Sequence, residues 1–281
     1  MKKNIGLISI LSIALAGCGL TLNQKEATTR FATASMSMGN FAAQEFASLR
    51  QATIEMNTKN IAIGGKADKT MLDGAFKVDA VTTRIKTAEA LASYGRLLMA
   101  LLNDSQEAEL RDASNQFADS VKAAGSDLDG VGTAVYAIGG LFIEHQKAAA
   151  LTKIATASKD VIDQLCDKLI DDFTPTAGHL AQGFDDTSIQ LQNIADTVLD
   201  KPGLDMQNRL MVIDAFKYGN DQMVGIEAIG KQASASLTAL KTANAELVNT
   251  LENDKLNLTD LKALGKNIKE LSAIVKALSG K

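Results

Sequence analysis

The stretch LTDLKALGKNIKELSAIVKAL, residues 258–278, indicates the fold most directly, because its large apolar residues recur at helical spacing. Intervals of three and four residues alternate along it, as they do between the a and d positions of a heptad repeat. The stretch is therefore predicted to form a helix with a single apolar seam, as in a coiled coil. That seam consists of Leu261, Leu264, Ile268, Leu271, Val275 and Leu278.

A long helix is predicted just before this seam, from Asp205 to about Leu251. Antiparallel packing of the two as a hairpin is favoured over pairing with a second chain, because the connection between them is short. Gly219, Gly225 and Gly230 weaken the middle of the long helix, each by roughly 1 kcal/mol relative to Ala, so a bend is expected there. The residues predicted to face the core are Leu210, Ile213, Phe216, Met223, Ile226, Ile229, Leu237, Leu240, Leu247 and Leu251.

The remainder of the chain has the same helical character. Its 281 residues include only two prolines, which favours long uninterrupted helices, and the alternation typical of strands is hard to find. The predicted fold class is all-α, an elongated antiparallel bundle of about six to eight long helices. The Thr-Pro-Thr turn at 174–176 is interpreted as a subdomain hinge. The other predicted helices cover about 26–56, 77–102, 106–124, 144–172 and 177–199.

The first residues have the layout of an export signal. Lys2 and Lys3 precede an apolar stretch, residues 5–16, that is too short to span a bilayer. The sequence Leu-Ala-Gly-Cys follows at 15–18 and resembles the lipobox of bacterial lipoproteins at every position. The resemblance implies cleavage before Cys18 and transfer of a diacylglyceryl group, with fatty acids such as palmitate, to its thiol. The alternative is an ordinary secretory signal with a cysteine after it.

This resemblance divides the chain into a signal peptide (1–17), a lipidated tether (18–25) and a helical bundle domain (26–281). Two or three acyl chains anchor a protein stably, so permanent attachment to a membrane of the bacterial cell envelope is expected. Gly19 follows the cysteine, where many enteric lipoproteins retained at the inner membrane have Asp. The resemblance therefore implies the outer membrane, with the domain facing the periplasm.

Cys166 is the second cysteine, and it has no intramolecular partner once Cys18 carries lipid. Leu165 and Leu169 flank it on a helical face, which favours a buried structural role. The alternative is a redox or dimer site in an oxidising compartment.

An uncharged, glycine-rich segment, residues 130–143, differs from the rest of the chain. It is too short for a membrane span, and it is interpreted as a buried helix at the bundle centre. A concealed membrane-inserting element is the alternative.

No residue pattern predicts catalysis, a cofactor or a metal. The two histidines, His145 and His179, are far apart in sequence, and a zinc site needs more ligands than they offer. The carboxylate pairs at 171–172 and 185–186 are explained by positions at helix ends. The Gly-Gly-Lys-Ala sequence at 64–67 lacks the spacing of a phosphate loop. The net charge of -4 gives no reason to expect nucleic acid.

The sequence therefore predicts a noncatalytic, lipid-anchored envelope protein that presents helical surfaces to a protein partner, as a scaffold or adapter. Two alternatives remain open, and both use residues 130–143. One is a ligand-binding lipoprotein with a pocket between helices near this segment. The other is a membrane-active helical protein in which the segment inserts into a bilayer.

Overall fold

The structure, a computed structural model, describes residues 19–63, 72–103, 107–125, 147–174, 178–254 and 258–279. Within these residues the chain forms seven helices and no strand, which confirms the predicted all-α bundle. The helices are α1 (Leu22–Ala62), α2 (Val78–Leu102), α3 (Glu107–Ala124), α4 (Lys147–Phe173), α5 (His179–Leu199), α6 (Met206–Asn253) and α7 (Leu258–Ser279).

Helices α1 and α6 run antiparallel along the whole length of the molecule. Near the start of α1, the Gln24 side chain donates a hydrogen bond to the Leu251 carbonyl oxygen. Near its end, Lys59 forms an ion pair with Asp214 at 3.2 Å. At 1.5 Å per residue, the 41 residues of α1 extend about 60 Å, so the bundle is elongated, as predicted. We call the end at Leu22 proximal and the end at Ala62 distal.

More of the remaining helices lie near the proximal end than near the distal end. Helix α2 packs on α1, α3 packs on α2, and both α4 and α7 pack on α6, all toward the proximal end. Helix α5 packs on α6 nearer the distal end, where Leu191 lies against Gly219. The distal part therefore consists of α1, α5 and the first half of α6. Its own small core comprises Ile63, Leu191, Ala195, Val212 and Ala215.

The contact between α1 and α2 is a close approach of two backbones. A Cβ atom built on Gly39 would lie 2.5 Å from the carbonyl oxygen of Ala88, and one on Gly95 would lie 2.5 Å from that of Ala32. Between these two points, the Ser35 hydroxyl donates a buried hydrogen bond to the Leu91 carbonyl oxygen at 2.7 Å. Small side chains thus set the separation of the two helices.

The α6–α7 hairpin confirms the interpretation of the terminal seam. Leu264 and Leu271 are buried, and Ile268 is partly buried against the main core. The Gln232 amide donates to the Asn267 carbonyl oxygen, which fixes α7 on α6. The remaining seam positions lie outside the side chains that the structure describes.

The prediction of which residues face the core is wrong for the first part of α6. Leu210, Ile213 and Phe216 are exposed rather than buried. Only α1 and α5 accompany α6 at this level, and they cover the face that carries Val212 and Ala215. The prediction holds further along, where the buried residues are Ile229, Leu237, Leu240, Leu247 and Leu251.

The start of the first helix also differs from the sequence prediction. Helix α1 begins at Leu22, inside the predicted tether of 18–25, because Thr21 and Gln24 form a capping box there. Of the predicted hinge at 174–176, only Thr174 lies within the described residues, and its hydroxyl donates to the Ile170 carbonyl oxygen.

Gly39→Ala should lower the free energy of unfolding by about 1 to 3 kcal/mol, because its Cβ meets the backbone of α2. Gly265→Ala is the matched control, since no atom lies within 4 Å of a Cβ at that position. It should leave stability unchanged or raise it by up to about 1 kcal/mol. Urea denaturation followed by circular dichroism measures both variants, and equal stability of the two would contradict the close packing of α1 on α2.

Candidate interaction surface

The first half of α6 carries a row of exposed residues at heptad spacing. Met206, Leu210, Ile213 and Val224 are 73%, 58%, 48% and 59% exposed. We call the whole row the α6 stripe, and it follows intervals of four and three residues along the helix. All six members are exposed: Met206, Leu210, Ile213, Lys217, Asn220 and Val224.

The small residues of α6, rather than the large ones, face its neighbours at the distal end. Val212 and Ala215 are 1% exposed, and Gly219 is buried against Leu191 of α5 and Met56 of α1. Small residues let the three helices approach closely. Phe216 and the α6 stripe therefore point away from the core, on the remaining surface of the helix.

The turn before α6 leaves the beginning of the stripe uncovered. Gly203 has a φ of +87°, a left-handed conformation that favours glycine. Asp205 then caps the helix, because its carboxylate accepts a hydrogen bond from the Asn208 backbone N–H at 2.9 Å. This bond lowers the pKa of Asp205 and keeps it ionised at the positive end of the helix dipole.

Cationic side chains accompany the α6 stripe. Lys217 lies within the row and Arg209 lies beside Leu210, and both are exposed. Neither side chain forms an ion pair or hydrogen bond with any residue that the structure describes. Asp214, the carboxylate between them in sequence, already pairs with Lys59 of α1. Lys217 is thus the one charged member of the stripe, and the carboxylates Asp205, Asp214 and Asp221 also lie on this half of α6.

A cluster of polar contacts clamps α1 to α6 at the distal end. The Tyr218 hydroxyl donates to the Glu55 carboxylate at 3.0 Å, and the Lys59 ammonium group lies 5.2 Å from the centre of the Tyr218 ring. Partial burial and the Glu55 carboxylate raise the pKa of Tyr218, so its hydroxyl stays protonated and can donate. The clamp fixes the position of the helix that carries the stripe.

The proximal end is held by the residues that follow Cys18 most closely. The Thr21 hydroxyl donates to the Asp254 carboxylate at 2.5 Å, while its oxygen accepts from the Gln24 backbone N–H. Leu20 packs against the main core. Cys18 itself, the predicted lipidation site, lies outside the described residues. Only Gly19 therefore separates that position from chain that packs on the bundle.

Cys166 occupies the main core, as the sequence predicts. Its side chain is fully buried, and its thiol is free. Burial is the main cause of the raised pKa of Cys166, and Asp163 adds to it. A protonated, enclosed thiol is a poor nucleophile, so this arrangement fits packing rather than redox chemistry.

The other positions considered in the sequence do not come together. Asp172 is buried and pairs with Arg84 of α2 at 2.8 Å, which ties α4 to α2. Asp171, Asp185 and Asp186 are exposed.

Several other positions cannot be compared with the sequence prediction. His179 begins α5, and its side chain is not described. His145, residues 64–67 and residues 130–143 lie outside the described residues. No group of metal-ligating side chains occurs among the residues described. Nor is any described helix both long and apolar enough to cross a bilayer.

Glu45 is a partly buried carboxylate that the sequence analysis did not single out. It lies on α1 beside Phe46 and forms no hydrogen bond or ion pair with the described residues. Burial raises the pKa of the Glu45 carboxyl to about 7. A lone glutamate within an apolar helical stretch gives no sequence signal, because its burial depends on which helices surround α1.

Cys166 should resist maleimide labelling in the folded protein and react fully in denaturant, because unfolding exposes the thiol. The matched control is Met206→Cys, whose new thiol replaces a highly exposed side chain and should react at once. Quantitative labelling followed by intact-mass measurement distinguishes the two sites. Rapid modification of Cys166 under native conditions would contradict its enclosure in the core.

Ionisation of Glu45 should destabilise the folded chain as the pH rises. Below the ordinary carboxyl pKa both the folded and unfolded states hold the proton, whereas above pH 7 both lose it and the folded state retains a poorly solvated charge. Glu45→Gln should therefore raise the free energy of unfolding at pH 8 by about 1 to 2 kcal/mol and change it little at pH 4.5. Denaturation of both proteins at the two pH values checks this, and a pH-independent difference would contradict it.

The chain matches no protein-family model, no curated protein and no solved structure. The α6 stripe is therefore identified from the packing, exposure and charge of this chain alone. Among the described residues it combines apolar exposure and regular spacing on one helix face, with Lys217 as its one charged member.

Proposed function

We propose that this chain is a noncatalytic, lipid-anchored protein of the bacterial envelope that presents helical surfaces to a protein partner, as a scaffold or adapter. The observation that carries the proposal is the α6 stripe. Soluble proteins rarely leave contiguous apolar side chains exposed unless they serve binding. In the first half of α6, Leu210, Ile213 and Phe216 face outward, while the smaller Val212, Ala215 and Gly219 pack inward.

The proximal end suits attachment to a membrane through Cys18. Helix α1 starts four residues after that cysteine, and its first turn is bound to the end of α6 by Thr21 and Gln24. Leu22 is 86% exposed, so a lipid on Cys18 would bring its apolar side chain to the membrane surface. Only a very short stretch of chain would then connect the lipid anchor to the bundle.

The distal end suits presentation of the stripe away from that membrane. An anchored α1 standing off the lipid surface would place its far end up to about 60 Å from the bilayer. The stripe begins at Met206, opposite the end of α1, so it would lie near this limit. A rigid rod with lipid at one end and a binding surface near the other is the design of a spacer or adapter.

Cys18→Ser should remove the anchor while the bundle stays folded, because Cys18 precedes the first packed residues. The wild-type protein should remain in the membrane pellet after a carbonate wash and show a mass increase for the lipid on Cys18. The variant should lose that lipid and keep its signal peptide. Cys166→Ser is the matched control, since it removes a thiol from the core and should still be lipidated. A wild-type chain without lipid on Cys18 would overturn the proposed anchor.

A further inference from the structure

We propose that the distal end of the bundle contains a separate opening unit, which leaves α1 and unfolds while the proximal part stays folded. This unit, the distal hairpin, comprises residues 188–218: the second half of α5, the turn after it and the start of α6. The proposal goes beyond the proposed function, because it concerns a motion of the chain itself and holds whatever covers the α6 stripe. The division of the core, the weak attachment of the hairpin to α1 and the glycines of α6 support it.

Two separate apolar cores contact α5, and the boundary between them falls within that helix. Phe184 is buried in the main core, whereas Leu191, two turns later, belongs to the small distal core. On α1 the same boundary lies between Met56 and Ile63. Among the described residues no buried apolar side chain belongs to both cores, so the small one can be lost while the large one stays packed. Such a division is typical of parts that open independently.

The distal hairpin buries little apolar surface for its length. Its buried side chains are those of Ser188, Leu191, Ala195, Val212 and Ala215. Only the leucine and the valine among them are apolar and larger than alanine. Residues 233–251 of the same helix α6 bury four leucines, at positions 237, 240, 247 and 251. Ordering each residue costs conformational entropy in both parts, and dense apolar burial offsets that cost only in the proximal one.

The polar contacts between the distal hairpin and α1 are few and lie near the surface. The described residues provide one ion pair, between Asp214 and Lys59, and one hydrogen bond, from Tyr218 to Glu55. The Asp214 side chain is 73% exposed, so its ion pair with Lys59 contributes little to stability. These contacts fix the position of the closed hairpin and add little to its free energy of opening.

A buried amide on α1 weakens the packing beneath the hairpin. Asn60 lies four residues after Met56 and three before Ile63, so the three side chains share one face of the helix. Ile63 belongs to the small distal core. The Asn60 side chain is 2% exposed, and its Oδ1 atom has no hydrogen-bond partner among the described residues. Burying an acceptor without a donor is costly, and opening of the hairpin returns this acceptor to water.

Glycines define where α6 can end when the hairpin opens. Glycine gains more conformational freedom than any other residue on leaving a helix. Gly219 and Gly225 follow the hairpin directly, before the first residue of α6 that is buried in the main core, Ile229. Unfolding of the start of α6 can therefore stop at these glycines. The second half of α5 opens with it, because Leu191 lies against Gly219 and loses its cover when α6 leaves.

Native-state hydrogen exchange of the purified full-length chain, measured by mass spectrometry at urea concentrations below the unfolding transition, tests the proposal. Residues 233–247 are the internal control, since they lie on the same helix as 210–218. Protection factors at 191–198 and 210–218 should be about a hundredfold lower than in the control, with one common dependence on urea. Equal protection in all three segments would overturn the proposal. Protection that rises gradually away from the turn at 200–205 would also overturn it, because that pattern indicates fraying of helix ends.

Two matched truncations then separate hairpin opening from global unfolding. Leu240→Ala removes contacts that remain when the hairpin opens, so it should speed exchange at 233–247 at least about tenfold and leave the hairpin unchanged. Leu191→Ala removes contacts that are lost in both kinds of opening, so it should speed exchange in both parts. Both side chains are buried in the wild-type chain.

Faster hairpin exchange in Leu240→Ala would overturn the proposal, because the hairpin would then open only together with the main core. Unchanged hairpin exchange in Leu191→Ala would overturn it as well, since the small core would not control the opening. Val248→Ala, a smaller truncation in the main core, replaces Leu240→Ala if that variant does not fold.

Discussion

The antiparallel pairing of α1 and α6 is the contact on which the other features of the bundle depend. It is fixed at both ends, by Thr21 and Gln24 at the C-terminal end of α6 and by Lys59 near its start. Because α1 and α6 are longer than every other described helix, this pair sets the length of the bundle. Every other helix packs against one member of the pair or against a helix that does. The positions of the proximal and distal ends follow from this single pairing.

Side-chain size decides how the other helices are arranged around this pair. Gly39 and Gly95 bring α2 so close to α1 that backbone atoms define the contact. Larger residues then fill the space on either side, and Phe31, Tyr94 and Phe117 form a row of ring contacts that joins α1, α2 and α3. The proximal part thereby gains a dense core. The distal part, with fewer helices, encloses only a small one.

Helical periodicity predicts which segments are helices, but it does not predict which of two apolar faces will be buried. The seam of α7 has one apolar face, and Leu264 and Leu271 are buried as expected. The first half of α6 has two faces, and the one with smaller residues is buried because it allows closer packing. Apolar periodicity alone predicts that the exposed face, with Leu210 and Ile213, is part of the core. The site was therefore missed because its position depends on the number of neighbouring helices, which no local pattern encodes.

The small distal core gives the α6 stripe a consequence beyond recognition. Three helices enclose little apolar surface, so this part contributes less hydrophobic stabilisation than the proximal part. A partner helix along Met206, Leu210 and Ile213 would add a fourth helix and bury side chains that are now exposed. Binding to the folded state alone would then stabilise the distal part, by about 2.7 kcal/mol at a hundredfold excess over the dissociation constant. Occupancy of the stripe and rigidity of the distal end would thus be coupled, since the same side chains would form the interface and complete the core.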